Sequence, residues 1–430
     1  MKQSRLGLPT LVGLVIANMI GAGVFTTSGF ALGDLGSPVF VLLAWVAGSV
    51  IALAGAASYG MLARLMPASG GEYLFLSRTV HPAAGFVAGW ISLLAGFTGA
   101  IAFAAITFEA YLAPVPGLAF LPDRSIATAA ILVAALVHGI HIRYGTGIQN
   151  TTVLVKLILI TLFILYAVTG TSAGDWQGLA GLSSGQQAEF SLTAFAMTLM
   201  WVSFSFCGFN AAVYVAGEAK DARRLVPKAM LLATLITSCI YLLLNGIFVL
   251  APAYEDVAFQ EDVAAIAAIV LGGERAAAVV RGIIALALFT SISSMVMIGP
   301  RVYAKMADDG LFPGALKFNR ETPDIAIVLQ AVLAIVVVWV SGLRELLSYL
   351  GFTLGLSAAA TICSLFVISR RDPSSLADVR GYPLVPLVFV VFTLLFAGLA
   401  ATRNPAEMLA ALVTIASGLI MYRVFRRNAG

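Results

Sequence analysis

Long apolar runs that are almost free of charged residues alternate with short polar segments along the whole chain. A helix needs about 20 apolar residues to cross the hydrocarbon core of a bilayer. Runs of that size recur twelve times, and the pattern therefore predicts twelve membrane-spanning helices. They lie near residues 8–30, 38–63, 84–108, 125–142, 148–170, 190–216, 229–252, 276–299, 325–342, 345–369, 383–401 and 406–422.

The composition strengthens the membrane assignment. Hydrophobic residues make up 60% of the 430 residues, and charged residues make up only 11%. Soluble domains carry roughly 45–50% apolar and about 25% charged residues, because their surface faces water. We therefore expect an all-α integral membrane protein whose residues 1–430 form one transmembrane domain in a lipid bilayer. The net charge of +4 does not suggest a nucleic-acid partner.

The Lys and Arg residues are distributed unequally between alternate predicted loops. Nineteen of the 25 lie in the loops on the side of the N-terminus, and four lie in the opposite loops. Cytoplasmic loops carry the excess of positive charge in multi-pass proteins. Both termini are therefore expected in the cytoplasm, and the expected location is the plasma (cell inner) membrane.

Small residues interrupt two of the predicted spans near mid-membrane. The first span contains Gly21, Ala22 and Gly23, and the sixth contains Gly208 within residues 204–210. One interpretation is close helix packing, because small residues let backbones approach in lipid. The other is an unwound stretch that lines a cavity, where the freed amides of Ala22 and Gly23 bind an anionic group.

The two interruptions fall in the first helix of each half of the chain. Interruptions at corresponding positions of two halves are typical of inverted-repeat transporters. The first repeat is then expected over about 8–170 and the second over about 190–370. The last two helices, at about 383–422, lie outside the repeat.

Lys156 is the residue that departs most from the apolar pattern, since its charged side chain lies inside an apolar run. A Lys at the centre of a span costs about 2.5–3.5 kcal/mol on the insertion scale, so it must face the protein interior and find acceptors. It is either a structural contact or a coupling group that exchanges a proton or replaces a cation. Ser291 and Ser294 in the eighth span are candidate acceptors for Lys156. The alternative interpretation is that both serines only pack between helices.

Several other kinds of site have no signature in the sequence. It has no Gly-rich phosphate loop, metal-ligand cluster or nucleophile triad. We therefore expect no cofactor, no metal site and no enzymatic activity. No obligate protein partner is evident either.

Four motifs carry a resemblance to a known family. They are residues 20–25 (IGAGVF), 67–73 (PASGGEY), 147–150 (GIQN) followed by Lys156, and 300–313 (PRVYAKMADDGLFP). With these four motifs in this order, the chain resembles the amino acid–polyamine–organocation (APC) family of permeases over nearly its whole length. The resemblance implies the 5+5 inverted-repeat fold of the leucine-transporter type, with two further C-terminal helices.

The resemblance also implies a role for each matching position. Amides near Ala22 and Gly23 would hold the substrate carboxylate, and carbonyls of Met19, Phe204 and Cys207 would hold its ammonium group. Phe204 would also close the site as an outer gate. Lys156 would replace the second sodium ion of sodium-coupled relatives and contact the backbone near Gly21. The implied substrate-binding residues are Met19, Ile20, Gly21, Ala22, Gly23, Phe204, Cys207, Gly208 and Asn210.

The resemblance favours a neutral amino acid as the substrate. Asn210 stands where arginine–agmatine exchangers have a glutamate, and no acidic residue lies in the core of the first, third, sixth, eighth or tenth span. A buried cationic side chain would lack a counter-charge. We therefore expect secondary active transport by alternating access, with protons or exchange as the coupling. The alternatives are a cationic amino acid or polyamine antiporter and a non-transporting membrane sensor of amino acids.

Overall fold

The computed structural model describes residues 6–118, 120–140, 145–172, 176–179, 189–317, 323–377 and 379–428. These residues form α-helices with a few short 3-10 and π segments, so the expected all-α class is confirmed for the described part of the chain. The longer helices are α1 Leu8–Met19, α2 Ala22–Leu35, α3 Pro38–Leu65, α4 Gly71–Thr79, α5 Pro82–Leu112, α6 Ser125–Ile140, α7 Gly145–Thr169, α8 Leu192–Ser205, α9 Ala222–Leu250, α10 Val263–Asp308, α11 Asp324–Val340, α12 Leu343–Arg371, α13 Leu384–Ala401 and α14 Pro405–Asn428.

Apart from the short helix α4, the helices fall into three groups by length and hydropathy. Within the described residues, seven helices are long and apolar enough to cross a membrane: α3, α5, α9, α10, α12, α13 and α14. Helices α1 and α2 pass the same test together as a broken span that is bent by 41°. Shorter apolar stretches lie in α6 (Ser125–His138), in α7 (Leu154–Thr169), and over α8 and α11. The protein is thus a multi-pass membrane protein, while the count of twelve spans and the inverted repeat stay predictions.

The outer surface of the bundle is apolar over long stretches. On α11, for example, Val332, Val336 and Val340 recur every four residues and are each at least half exposed. Residues at this spacing lie on one face of a helix. A large exposed apolar face is stable only against lipid or another apolar surface, so this face is suited to the bilayer.

Each helix break has a local backbone cause. At the first break, Gly21 is extended with φ −128° and ψ −159°, which ends α1 at Met19 and lets α2 begin at Ala22. At the second break, Gly208 adopts φ +105°, a region that residues with a side chain rarely enter. Helix α8 has ended at Ser205 before this glycine, and the chain continues after it as a 3-10 segment over Ala211–Glu218.

An aromatic cluster packs the second break against two long helices. The ring centroids of Trp45 on α3 and Tyr241 on α9 are 5.4 Å apart. The Phe206 ring lies 6.0 Å from Trp45 and 5.1 Å from Tyr241. All three side chains are buried, so they fix the backbone just before Gly208 against α3 and α9.

The two ends of the broken span define two faces of the bundle. Leu6 precedes α1 and Asp34 lies near the end of α2, so the two residues lie at opposite ends of the span. We call the end that contains Leu6, Glu72 and Ala219 the Leu6 face, and the end that contains Asp34, Phe259 and Arg344 the Asp34 face.

Candidate substrate site at two helix breaks

The carbonyls at the first break already accept hydrogen bonds from side chains of other helices. The Tyr241 hydroxyl lies 2.5 Å from the carbonyl oxygen of Met19 and 3.0 Å from that of Ser205. This one hydroxyl from α9 thus links the ends of α1 and α8. The carbonyl of Ile20 accepts from Lys156 Nζ at 2.7 Å.

Lys156 reaches this position from α7 with only 2% of its surface exposed. Its ammonium group therefore lies inside the protein and bonds to the backbone one residue before Gly21. A buried ammonium has three donors to satisfy and no solvent to do it, so carbonyls released by a helix break are suitable acceptors. The role of Lys156 in coupling stays a prediction.

The two serines expected to accompany Lys156 lie on α10. The Ser291 hydroxyl donates to the carbonyl of Ala287 in its own helix at 3.0 Å. Its proton is therefore used within α10, and its oxygen can still accept. Ser294 lies nearly one turn further along and is half-buried. Their roles as acceptors from Lys156 stay predictions.

Glycines let the two breaks approach each other closely. A Cβ atom on Gly23 would lie 2.5 Å from Ser205 Oγ and 2.9 Å from Ser205 Cα. A Cβ atom on Gly208 would lie 2.7 Å from the backbone carbonyl of Asn18. The first break thus packs against α8, and the second packs against α1. Close packing and unwound backbone thus occur together at these glycines, and the binding of an anionic group stays a prediction.

The free backbone groups of the site follow from this arrangement. The N-terminus of α2 begins at Ala22 and no side chain caps it, so the first amides of α2 keep the partial positive charge of a helix N-terminus. The carbonyl of Phe204 accepts from the Cys207 amide at 2.8 Å and has a second lone pair. The site can therefore offer donors on one side and acceptors on the other.

Aromatic and thiol side chains flank these backbone groups. The Phe204 ring meets the Phe103 ring of α5 edge to face, with centroids 5.2 Å apart. Cys207 is half-buried, and its thiol donates to the Ser203 carbonyl at 3.6 Å. It lines a small pocket whose wall also includes Gly48 and Phe389.

Asn210 makes a contact that the sequence did not predict. Its side-chain amide donates to Oε1 of Glu72, a residue of α4. The same carboxylate accepts from Tyr59 at 3.0 Å through Oε1 and from Tyr214 at 2.5 Å through Oε2. Glu72 is only 8% exposed. The spans named above contain no acidic residue in their core, but a carboxylate from α4 bonds to the continuation of the sixth span.

The sequence contained one signal of this contact. Glu72 follows Gly70 and Gly71, whose φ values of +141° and +55° turn the chain into α4. A Cβ atom on Gly71 would overlap the Tyr214 ring. A pair of glycines directly before a carboxylate thus indicates a close backbone approach, although it does not name the partner.

Comparisons with known proteins agree with these features. A family model described as amino acid permease matches residues 6–422. The chain is 25% identical to the large neutral amino acids transporter small subunit 2 of Homo sapiens over 91% of this chain and 74% of that protein. It is 25% identical to the serine/threonine exchanger SteT of Bacillus subtilis over 99% of this chain and 98% of that protein.

A third relative has a similar level of identity. It is the Asc-type amino acid transporter 1 of Mus musculus, 25% identical over 91% of this chain and 75% of that protein. The family match covers almost the whole chain and includes both helix breaks, Lys156 and Glu72. The resemblance carried by the four motifs is confirmed, and the chain belongs to the amino acid permease family of APC transporters.

Proposed function

We propose that this protein is a secondary active transporter of neutral amino acids that works by alternating access. The observation that carries the proposal is the meeting of two broken helices, with Lys156 bonded to the Ile20 carbonyl inside one of the breaks. Unwound backbone that meets at mid-span is typical of transporter substrate sites. The names of the relatives, which include a neutral amino acid transporter and a serine/threonine exchanger, support the same substrate class.

A zwitterion fits the polarity of this site. The amides of Ala22 and Gly23 would hold the carboxylate, because a helix N-terminus favours an anion. The carbonyls of Met19, Phe204 and Cys207 would hold the ammonium group. Those of Met19 and Phe204 already accept one hydrogen bond each, and each can accept another through its second lone pair. Phe204, held edge to face by Phe103, would close the site.

The membrane arrangement is part of the proposal. The excess of Lys and Arg in the loops on the N-terminal side supports a cytoplasmic Leu6 face and two cytoplasmic termini. The bend of 41° between α1 and α2, together with the break after α8, supports two related halves. The full arrangement is then twelve spans with a 5+5 repeat and two further helices.

Transport in proteoliposomes tests the proposal and separates two couplings. Radiolabelled alanine, serine or leucine should accumulate inside vesicles that contain the purified protein. Uptake into an empty lumen that depends on an imposed pH gradient indicates proton symport. Uptake only into a lumen preloaded with amino acid indicates exchange. If none of the twenty amino acids or common polyamines is taken up, the proposal is wrong.

A cationic amino acid or polyamine is the second candidate substrate, because Glu72 brings a buried carboxylate to Asn210. Three donors from the protein already occupy that carboxylate, which favours the neutral class. Competition separates the two candidates. Excess arginine or putrescine should leave alanine uptake unchanged, and strong inhibition by either would favour the cationic class.

Lys156→Met should reduce gradient-dependent transport by about 10–100-fold, because it replaces a charge-assisted hydrogen bond with an apolar side chain of similar length. Turnover and its dependence on pH are the quantities to measure. The matched control is Thr161→Ala on the same helix, since Thr161 is exposed and bonds only within α7 through the Leu157 carbonyl. Equal turnover and pH dependence in both variants would make Lys156 merely structural.

A further inference from the structure

Glu72 holds together parts of the chain that are far apart in sequence. It lies on α4, a nine-residue helix between the long helices α3 and α5. Tyr59, one of its donors, is on α3, while Asn210 and Tyr214 follow the second helix break. One carboxylate thus fixes the segment after Gly208 to α3.

The three donors of Glu72 are neutral. Among the residues that the structure describes, the ion pairs are formed by other carboxylates, of Asp34, Asp262 and Glu274. A buried carboxylate without a cation depends on hydrogen bonds for its stabilisation. The loss of any one donor therefore has a large cost in free energy. Each of these bonds should therefore help to hold the segment after Gly208 in its present position.

The position of these bonds relative to the break gives them a mechanical role. Asn210 is two residues after Gly208, and Tyr214 lies within the 3-10 segment. The same segment is held at its far end by Leu6, whose amide donates to Glu218 at 2.9 Å. Opening the Leu6 face requires this segment to move away from α3. It cannot do so while Asn210 and Tyr214 bond to Glu72.

The next residue of α4 faces a different part of the protein. The Tyr73 hydroxyl lies 3.3 Å from Oδ2 of Asp309, directly after α10. Burial, and then the charge of Asp309, raises the pKa of Tyr73 to about 12, so the hydroxyl remains a donor at neutral pH. Two consecutive residues of α4 thus bond to two separate parts of the bundle, the segment after the second break and the end of α10.

We propose that Glu72 is a gating residue that keeps the Leu6 face closed, and that this face opens only when Asn210 and Tyr214 leave its carboxylate. The inference rests on the proposed alternating-access function, since it assigns the residue that controls one of the two openings. Glu72 acts through Asn210 and Tyr214 rather than on the substrate, so it is a positioning residue.

The native Cys207 is a reporter for this opening, because it directly precedes Gly208, lies three residues before Asn210 and is half-buried. The background variant is Cys239→Ser with Cys363→Ser, which leaves Cys207 as the one thiol. The measurement is the rate at which a charged, membrane-impermeant maleimide labels Cys207. The reagent is added to the Leu6 face or to the Asp34 face of vesicles of known orientation.

In this background, Glu72→Ala should accelerate labelling from the Leu6 face by at least tenfold. Glu72→Gln should accelerate it about threefold, because the amide keeps an acceptor for Tyr59 and Asn210 but loses the charge. Labelling from the Asp34 face should not change in either variant. The matched control is Tyr73→Phe, which removes the neighbouring bond to Asp309 and should leave the Cys207 rate unchanged.

Two results would overturn the inference. One is a labelling rate from the Leu6 face that both Glu72 variants leave at the parent value. The other is acceleration from both faces, which would mean general loosening rather than gating. If Glu72→Ala does not fold, Glu72→Gln alone decides. Labelling needs no transported substrate, so a failure of the gate is distinct from a failure of the proposed function.

Discussion

The two faces of the candidate site are closed by different chemistry. At the Asp34 face, the Asp34 carboxylate and the Arg344 guanidinium form an ion pair with a separation of 2.5 Å. The guanidinium also lies 5.5 Å from the ring centroid of Trp201 and 5.7 Å from that of Phe259. Opposite charges and aromatic rings therefore join α2, α8, α12 and the loop before α10.

The Leu6 face is closed by neutral donors and backbone instead. Glu72 accepts hydrogen bonds from two hydroxyls and one amide. Leu6 forms a two-way backbone bridge with the end of the 3-10 segment, donating to Glu218 and accepting from Lys220. Removing one charge at the Asp34 face leaves the other charge unpaired, whereas the donors at the Leu6 face can be removed one at a time. The first closure should fail abruptly and the second in steps.

Glycines make room for both closures, but for different reasons. Gly29 and Gly33 are helical residues of α2 and make room for the loop at Phe259 and Gln260. Gly70 and Gly71 have positive φ values, so they are needed for backbone conformation as well as for space. The Asp34 face thus depends on small residues inside a regular helix, and the Leu6 face depends on a turn.

Among the variants that test this comparison of the two faces, Gly29→Ala should cause the largest loss of turnover. Its Cβ atom would overlap the backbone carbonyl oxygen of Gln260 and lie 2.7 Å from a methyl group of Val263. Overpacking costs about 1–3 kcal/mol, and a clash with backbone belongs at the upper end. The loop should be displaced from α2, and turnover should fall by about 100-fold. Uptake in proteoliposomes, normalised to the amount of inserted protein, measures this fall in turnover.

Gly13→Ala is the matched control, because Gly13 is a helical glycine of α1 with nothing within 4 Å of its added Cβ atom. Its turnover should stay at the parent value. A Gly29→Ala variant within twofold of this control would show that the loop at Gln260 does not need its present position for transport.

Arg344→Gln should have the next largest effect. It leaves the Asp34 carboxylate, whose side chain is 6% exposed, without its cation. The loss should be about 1.5–2 kcal/mol, near the lower end for hydrogen bonds to charged groups, since the Arg344 side chain is 38% exposed. The closed Asp34 face should become roughly tenfold or more less populated, which lowers the apparent affinity for substrate.

A double-mutant cycle sharpens this prediction. Asp34→Asn alone leaves the guanidinium unpaired, and Asp34→Asn with Arg344→Gln removes both charges. The double variant should lose less than the sum of the two single variants, because neither partner remains as an unpaired charge. Additive losses in apparent affinity would mean that the pair does not act as one closing contact.

The sequence predicted the breaks and the buried cation because both depend on local patterns. Gly21, Gly23 and Gly208 interrupt apolar runs, and Lys156 is the one Lys inside such a run. The structure has helix ends beside these glycines and buries Lys156 against the first break. Both features can be predicted from the local sequence, because a residue that is unusual in its own segment marks the position. No knowledge of a distant partner is needed.

The closures could not be predicted because each joins residues that are far apart in the chain. Glu72 and Asn210 are separated by 138 positions, and Asp34 and Arg344 by 310. In the pattern of apolar runs, Glu72 belongs to a polar connection and looks solvent-exposed. Its burial depends on how the turn at Gly70 directs α4 towards Tyr214, which is a property of the folded bundle.

The length of the helices was predicted less well than their positions. The pattern gave a run near 276–299, whereas α10 covers Val263–Asp308 as two helical parts that meet at the non-helical backbone of Gly272 and Gly273. The apolar run marks only the part of a helix that suits lipid. After residue 299 the helix continues through polar turns to Asp308, because backbone hydrogen bonds do not depend on hydropathy.

Leu6→Pro should have the smallest effect of these variants. It tests whether the contacts that close the Leu6 face can be lost one at a time. Proline has no amide hydrogen, so the bond from Leu6 to Glu218 is lost while the Leu6 carbonyl still accepts from Lys220 at 3.0 Å. One backbone hydrogen bond contributes about 0.5–1.5 kcal/mol, which corresponds to roughly 2–10-fold faster labelling of Cys207 from this face. Leu6→Ala keeps both backbone bonds and should label at the parent rate. If Leu6→Pro opened this face as fully as Glu72→Ala, the closure would be a single cooperative unit, and the contrast with the Asp34 face would disappear.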